Sequence, residues 1–193
     1  NPQHETINRL QHDCNRLTHL MESVLSFSRP MEYKMDPVDL GMLLQRFLER
    51  WRPRFSKANV QAYFQMEPDI LWVIGDARAL EQVFTNLVNN ALQAMKTGGV
   101  LAVKMTNRQV SRGASPEVEV TVSDNGPGIP DEIREHIFEP FVTNNPQGTG
   151  LGLAITKRII NAHRGSISVN SFPGGTVFHV CLPACKPIGG VDS

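Results

Sequence analysis

The chain has 193 residues, 40% hydrophobic and 20% charged, a composition that excludes a disordered segment and suits one domain with a sizeable core plus an appendage. Lysine and arginine total 19, as do aspartate and glutamate, so no charge excess marks a nucleic-acid or anionic-lipid partner, and neither partner is expected. The three cysteines, Cys14, Cys181 and Cys185, have no zinc spacing and point to a reducing, cytoplasmic setting; no apolar run could span a bilayer and no signal peptide is visible.

The first expected element is a helix. Ile7, Leu10, Cys14, Leu17, Met21, Val24 and Ser28 are spaced alternately by three and four residues, an a/d seam that Leu20, Leu25 and Phe27 widen as in a bundle. One such helix cannot bury its seam alone and needs partners. Arg29-Pro30 ends it, because proline lacks the donor and disfavours helix before itself. Residues 1–30 therefore read as a bundle helix and 31–37 as a linker rich in proline and methionine. Residues 38–184 read as the main domain and 185–193 as a flexible tail.

Within the main domain a helix is expected from Leu40 to Lys57, then strands near Val60–Gln65 and Leu71–Ile74. From Asp76 to Lys96, Leu80, Val83, Phe84, Leu87, Ala91, Ala94 and Met95 form one helical stripe. Gln82, Asn86, Asn90 and Gln93 form a second. Asparagines are poor helix formers, so Asn86 and Asn90 one turn apart on one face are a modest anomaly. A solvated face explains them blandly. An amide pair aimed at a metal–phosphate group explains them functionally, since Mg²⁺ takes oxygen ligands.

A strand near Val100–Thr106 and a polar, exposed hairpin tip over 107–116 come next. From Glu117 to Ser123 the chain alternates like a strand, with Val118, Val120 and Val122 on one face and Asp124 on that face by parity. A carboxylate pointing where valines point is headed for the interior and needs a hydrogen-bond donor. Gly126 and Gly128 follow, where the backbone can turn sharply and approach a flat ligand. Taken alone, Asp124-Asn125-Gly126 is a common turn. Gly148-Thr149-Gly150-Leu151-Gly152-Leu153 leads into Ile155, Ile159 and Ile160 at helical spacing, so backbone N–H groups and the helix dipole face an anion there. The glycine spacing matches neither a Walker loop nor a dinucleotide fingerprint. Strands over Ser166–Ser171 and Thr176–Leu182 close the domain around a Gly174-Gly175 turn.

In this order, the segments resemble the ATP-binding domain of sensor histidine kinases. Asn86-Leu87-Val88-Asn89-Asn90-Ala91 resembles that family's asparagine box, and Asp124 to Pro130 its first glycine box. Ile137-Phe138-Glu139-Pro140-Phe141 resembles its phenylalanine box, and Gly148 to Leu153 its second glycine box. Asn90-Ala91-Leu92-Gln93-Ala94-Met95 with a short lid is most similar to the nitrogen-regulation subtype. Leu25-Ser26-Phe27-Ser28-Arg29-Pro30 resembles the end of the second dimerisation helix.

The resemblance implies a two-layer α/β sandwich of the Bergerat type behind a long bundle helix, binding ATP with Mg²⁺. Asp124 would accept from the adenine amino group, with Thr176 supporting that edge and Gly128 giving clearance. Asn90 would ligate Mg²⁺, supported by Asn86. Gly126, Ile129, Thr143, Gly148, Thr149, Gly150, Leu151, Gly152 and Leu153 would complete the nucleotide site, while Phe138 and Phe141 anchor the lid by hydrophobic packing. The family's partners are a second copy, through the N-terminal bundle, and the receiver domain of a response regulator.

His4-Glu5 and His12-Asp13 mimic the start of the family's acceptor motif, but Arg9 and Leu17 stand where its proline belongs. His4, His12 and His19 therefore read as ordinary bundle or surface residues, and the chain as a fragment without the acceptor histidine. Related ATPases carry a water-activating glutamate at the position of Asn86, so hydrolysis is expected to be slow. Asn145 and Gln93 stand where related kinases often carry lysine, leaving Lys96, Arg134 and Lys157 as basic candidates. The alternative reading is a pseudokinase-like nucleotide-binding or dimerisation module without phosphotransfer.

Overall fold

The computed structural model of the chain describes Thr18, Met21 and residues 32–69, 71–108, 115–145 and 148–185. Of the expected bundle helix only Thr18 and Met21 are described, both helical and exposed. The rest of it, with His4, His12, His19 and Cys14, lies outside the described residues, as do the centre of the hairpin tip (109–114), Pro146 and Gln147 of the lid, and the chain beyond Cys185.

The first strand, β1, is short (Asp36–Val38). Helix α1 (Leu40–Lys57) begins where the Asp39 side chain accepts the Met42 N–H at 2.9 Å, an N-cap that satisfies an orphan donor. Strands β2 (Val60–Met66) and β3 (Trp72–Gly75) precede helix α2 (Ala77–Ala94), which is capped by Asp76 through the N–H groups of Arg78 and Ala79. Strands β4 (Gly99–Arg108) and β5 (Glu117–Asp124) come next, then the single-turn helix α3 (Asp131–Arg134) and helix α4 (Gly152–Ala162). Strands β6 (Ser166–Phe172) and β7 (Gly175–Cys185) end the described chain.

The strands make one seven-stranded sheet in the order β1-β3-β7-β5-β4-β2, with β6 also paired to β7. Only β2–β4 is parallel; the other pairs are antiparallel. One sheet face is apolar and buried: Leu101, Val103 and Met105 of β4, Val118, Val120 and Val122 of β5, Phe178, Val180 and Leu182 of β7. The helices supply the facing layer through Leu44, Phe47 and Trp51 of α1, Leu80, Val83, Phe84 and Leu87 of α2, and Ile155, Ile159 and Ile160 of α4. Each such side chain contributes roughly 1.5–3 kcal/mol on burial, so this face sets the register of every strand. The expected sandwich is the fold observed.

Several boundaries differ from the sequence reading, β4 for one running on through Asn107 and Arg108 of the expected hairpin tip. Asp36 and Pro37, expected in the linker, pair as β1 with Gly75 and Ile74 of β3. Ala184 and Cys185, both beyond the expected last strand (Thr176–Leu182) and Cys185 in the expected tail, continue β7 because Val73 and Trp72 pair with them. The β6–β7 turn is formed by Pro173 and Gly174, with Gly174 at φ +99°; Gly175 is already paired with Phe172. Cys181 is buried on the strand and Cys185 half-buried; both are free thiols.

Candidate functional site

The inner face of the sheet changes chemistry at one end. Across β4, β5, β7 and β6 the paired positions read Met105–Val120–Val180–Ile167, then Val103–Val122–Phe178–Val169, then Leu101–Asp124–Thr176–Ser171. The last rung carries three hydrogen-bonding side chains where those before it are wholly apolar. Asp124 is 7% and Thr176 4% exposed. Burial pushes the Asp124 carboxyl above the usual range, against the pull of the Gly126 N–H, which donates to Oδ1 at 2.9 Å. A carboxylate has more acceptor capacity than one N–H fills, so Asp124 is suited to take a further donor from a ligand.

The loop after Asp124 is fastened at both ends. Asn125 Oδ1 accepts the Val100 N–H at 2.7 Å, and the Ile129 N–H donates to Ser171 Oγ at 2.7 Å. Between them Gly128 sits at φ +87°, where a Cβ would lie 2.4 Å from the Phe172 carbonyl oxygen. Only glycine meets both constraints.

Helices α2 and α4 form the other wall. Asn86 Nδ2 donates to the Gly152 carbonyl at 2.9 Å and to Thr156 Oγ1 at 3.2 Å, tying the middle of α2 to the first turn of α4. Helix α4 has no side-chain cap at its N-terminus. Gly152 and Leu153 border the cleft there, so first-turn N–H groups and the helix dipole favour an anion at that point. The base of the lid is pinned where the Phe141 N–H donates to the Gly150 carbonyl at 2.9 Å. Gly150, at φ +67°, presses so closely on the Phe141 backbone that a Cβ would fall 2.4 Å from its carbonyl carbon.

A cleft of about 460 Å³ lies between these walls. Asn86, Asn90, Asp124, Gly128, Ile129, Thr143, Gly148, Thr149, Gly150, Gly152, Leu153 and Thr176 line it. Two residues expected in the site do not. Gly126 acts through its N–H to Asp124, and Leu151 is fully buried in the core as the N-cap residue of α4. Phe138 packs edge-on against Phe178 with centroids 6.4 Å apart, but Phe141 departs from its expected packing role. The residue is 62% exposed and its backbone left-handed at φ +69°, and its contact with Gly150 is made by main chain. Ser171, Thr156 and Asn125 support the site without a sequence signal, since their partners lie far along the chain.

A protein-family model described as "Histidine kinase-, DNA gyrase B-, and HSP90-like ATPase" matches residues 75–186. The chain belongs to this ATPase family. Among curated relatives, the sensory histidine kinase/phosphatase NtrB of Rhodobacter capsulatus is 36% identical over 89% of this chain and 50% of its own length. The catalytic domain of the histidine kinase ThkA superposes with a TM-score of 0.69 at 32% identity, covering 80% of this chain and 97% of that one. ThkA in complex with the response regulator TrrA gives a TM-score of 0.76 at 28% identity, over 93% of this chain and 50% of that one. The chain thus spans about half the length of the NtrB relative. The resemblance to sensor histidine kinases, the nitrogen-regulation type included, holds.

Of the basic candidates in this histidine kinase-like ATPase domain, only Lys96 borders the cleft. Arg134 is held by Asp131 and the Ile129 carbonyl, and Lys157 lies over the Phe138 ring, 5.6 Å from its centroid. Asn145 and Gln93 meet each other: Asn145 Nδ2 donates to Gln93 Oε1 at 3.2 Å, linking lid to α2.

Proposed function

We propose that this chain is the ATP-binding catalytic part of a sensor histidine kinase. It presents Mg²⁺-ATP to a histidine on a helix outside this chain, from which the phosphoryl group passes to an aspartate of a response-regulator receiver domain. The observation that carries this reading is the convergence, in one cleft, of the buried acceptor Asp124, the α2 amides Asn86 and Asn90, and the uncapped N-terminus of α4. The adenine amino group donates to Asp124 beside Thr176, with the base lying against Gly128 and Ile129. The phosphates meet Thr143, Gly148, Thr149, Gly150 and the first turn of α4.

Mg²⁺ suits the donors present. Asn90 lines the cleft and would offer the ion a hard amide oxygen. When bound, the ion neutralises phosphate charge. The chain's own residues orient the nucleotide. Asn86 fixes α4 against α2 and, as an amide, cannot take a proton from water. That favours transfer over hydrolysis: a histidine nitrogen bonds to the γ-phosphorus while the bond to the β,γ-bridging oxygen breaks and ADP leaves with the electron pair. Positioning carries most of such a reaction. A homodimer joined through the N-terminal helix and a cytoplasmic location complete the proposal; among the described residues no helix is long and apolar enough to cross a membrane.

The test supplies the chain with a dimerisation helix bearing an acceptor histidine, together with γ-labelled Mg²⁺-ATP. The expected result is acid-labile phosphohistidine on that helix and only slow release of free phosphate. Brisk phosphate release without phosphohistidine would contradict the proposal.

A further inference from the structure

We propose that Ser171 is a positioning residue for base selection: it holds the glycine loop that roofs the nucleotide base. The inference rests on the ATP reading above and extends it to a residue that does not border the cleft.

Three observations carry it. First, Ser171 completes the polar rung, paired with Thr176, which is itself paired with Asp124. Its side chain therefore points to the same inner face as the two residues that meet the base. Second, its hydroxyl is used at both ends. It accepts the Ile129 N–H at 2.7 Å, a short bond, and donates to the Gly175 carbonyl at 3.4 Å, a long one. The hydroxyl thus joins the loop to the β6–β7 hairpin. Third, the loop is pressed on that hairpin with no slack: a Cβ at Gly128 would meet the Phe172 carbonyl oxygen at 2.4 Å and Ser171 Oγ at 3.2 Å.

Ile129 and Gly128 form one wall of the cleft and Asp124 another. The angle between them decides whether a purine's edge can reach the carboxylate while its face lies flat on the loop. Asn125 fixes the loop's start to β4 and Ser171 fixes its end to β6. Without the hydroxyl the part-buried Ile129 N–H loses its acceptor, and the loop can move away from β6. A base with an amino group at the recognised edge then loses its advantage over one without it.

The experiment compares Mg²⁺-ATP with Mg²⁺-ITP, which carries a carbonyl in place of the adenine amino group. Calorimetric titrations use the unaltered chain, Ser171→Ala, Ser171→Thr and Asp124→Asn, with a melting temperature for each. The unaltered chain is expected to prefer ATP. Ser171→Ala is expected to lower ATP affinity about tenfold and ITP affinity much less, narrowing the preference, while Ser171→Thr, which keeps the hydroxyl, restores it. An ATP/ITP ratio unchanged in Ser171→Ala, with or without a lower melting temperature, would overturn the proposal while leaving the ATP reading intact. Absence of ATP binding by the unaltered chain, or full ATP binding by Asp124→Asn, would overturn the ATP reading and this proposal with it.

Discussion

Asp124 shows how one side chain can hold stability and function in opposition. Burial raises its carboxyl above the ordinary value and only the Gly126 N–H opposes this. With the folded pKa raised, the folded state holds a proton the unfolded chain has lost. Ionising the group as pH rises through that window therefore costs stability. In the proposed site it is the ionised form that accepts from an adenine amino group. ATP affinity is accordingly expected to fall on acidification at a higher pH than an ordinary aspartate would give, measurable by titration across a pH series. Asp124→Asn removes this dependence and leaves the melting temperature unchanged or higher. Asn145 bears on the opposite end of the cleft. Its side-chain amide donates to Gln93 Oε1 in a solvent-exposed hydrogen bond. Asn145→Lys sets a cation near the phosphate end and is expected to raise affinity for ATP more than for ADP; equal effects on the two nucleotides would contradict that placement. Asp124 was legible in the sequence because strand alternation is local. Ser171 was not, because its role depends on a bond to Ile129, 42 positions away. Phe141 misled for a third reason: residue type suggested packing, while the residue is exposed and meets Gly150 through its main chain.

At the scale of elements, the two helices that flank the cleft are tied together at two points. Asn86 links the middle of α2 to the start of α4, and His163 links the end of α4 to the start of α2. His163 Nε2 accepts the Asp76 N–H at 2.9 Å, so Nδ1 carries the proton and donates to the Ile159 carbonyl at 2.7 Å. The incoming segment joins here too: the Lys34 N–H donates to Asp76 Oδ2 at 3.0 Å, and the Tyr33 ring stands edge-on to His163. For Asp76, desolvation raises the carboxyl, but N–H bonds from Ala79, Lys34 and Arg78 outweigh it and the net shift is downward. A lowered folded pKa contributes stability that is present above the ordinary carboxylate range and is lost as pH falls through the folded value. Asp76→Ala is expected to cost about 1–2 kcal/mol in denaturant unfolding near neutral pH, with the gap to the unaltered chain closing in acid. A constant gap at all pH values would mean that capping charge is irrelevant. The bounds of α1 and α2 were readable because periodicity and caps lie within a few residues of each helix. Strand β1 was not, because a three-residue strand containing Pro37 has no local signal and exists only through its pairing with β3.

For the whole molecule, a sheet with one apolar face and a layer of helices would be an ordinary α/β domain but for one end, where the inner face turns polar and a helix begins uncapped. The cleft arises because the core stops there: Val122 and Phe178 close the apolar interior, and Asp124 and Thr176 open the site one rung later. Asp124 and Thr176 sit on strands and Asn86 and Asn90 on a helix, with loops only at 125–130 and in the lid, an arrangement that suits the proposed holding of ATP for a nucleophile carried elsewhere. The measurement that bears most directly on this account is a calorimetric titration of a non-hydrolysable ATP analogue with Mg²⁺ into the full chain, beside Asp124→Asn. The account predicts saturable binding to the unaltered chain and a loss of about 1.5–3 kcal/mol, tenfold or more in affinity, in a variant that melts no lower. Equal binding by both proteins, or none by either, would contradict it.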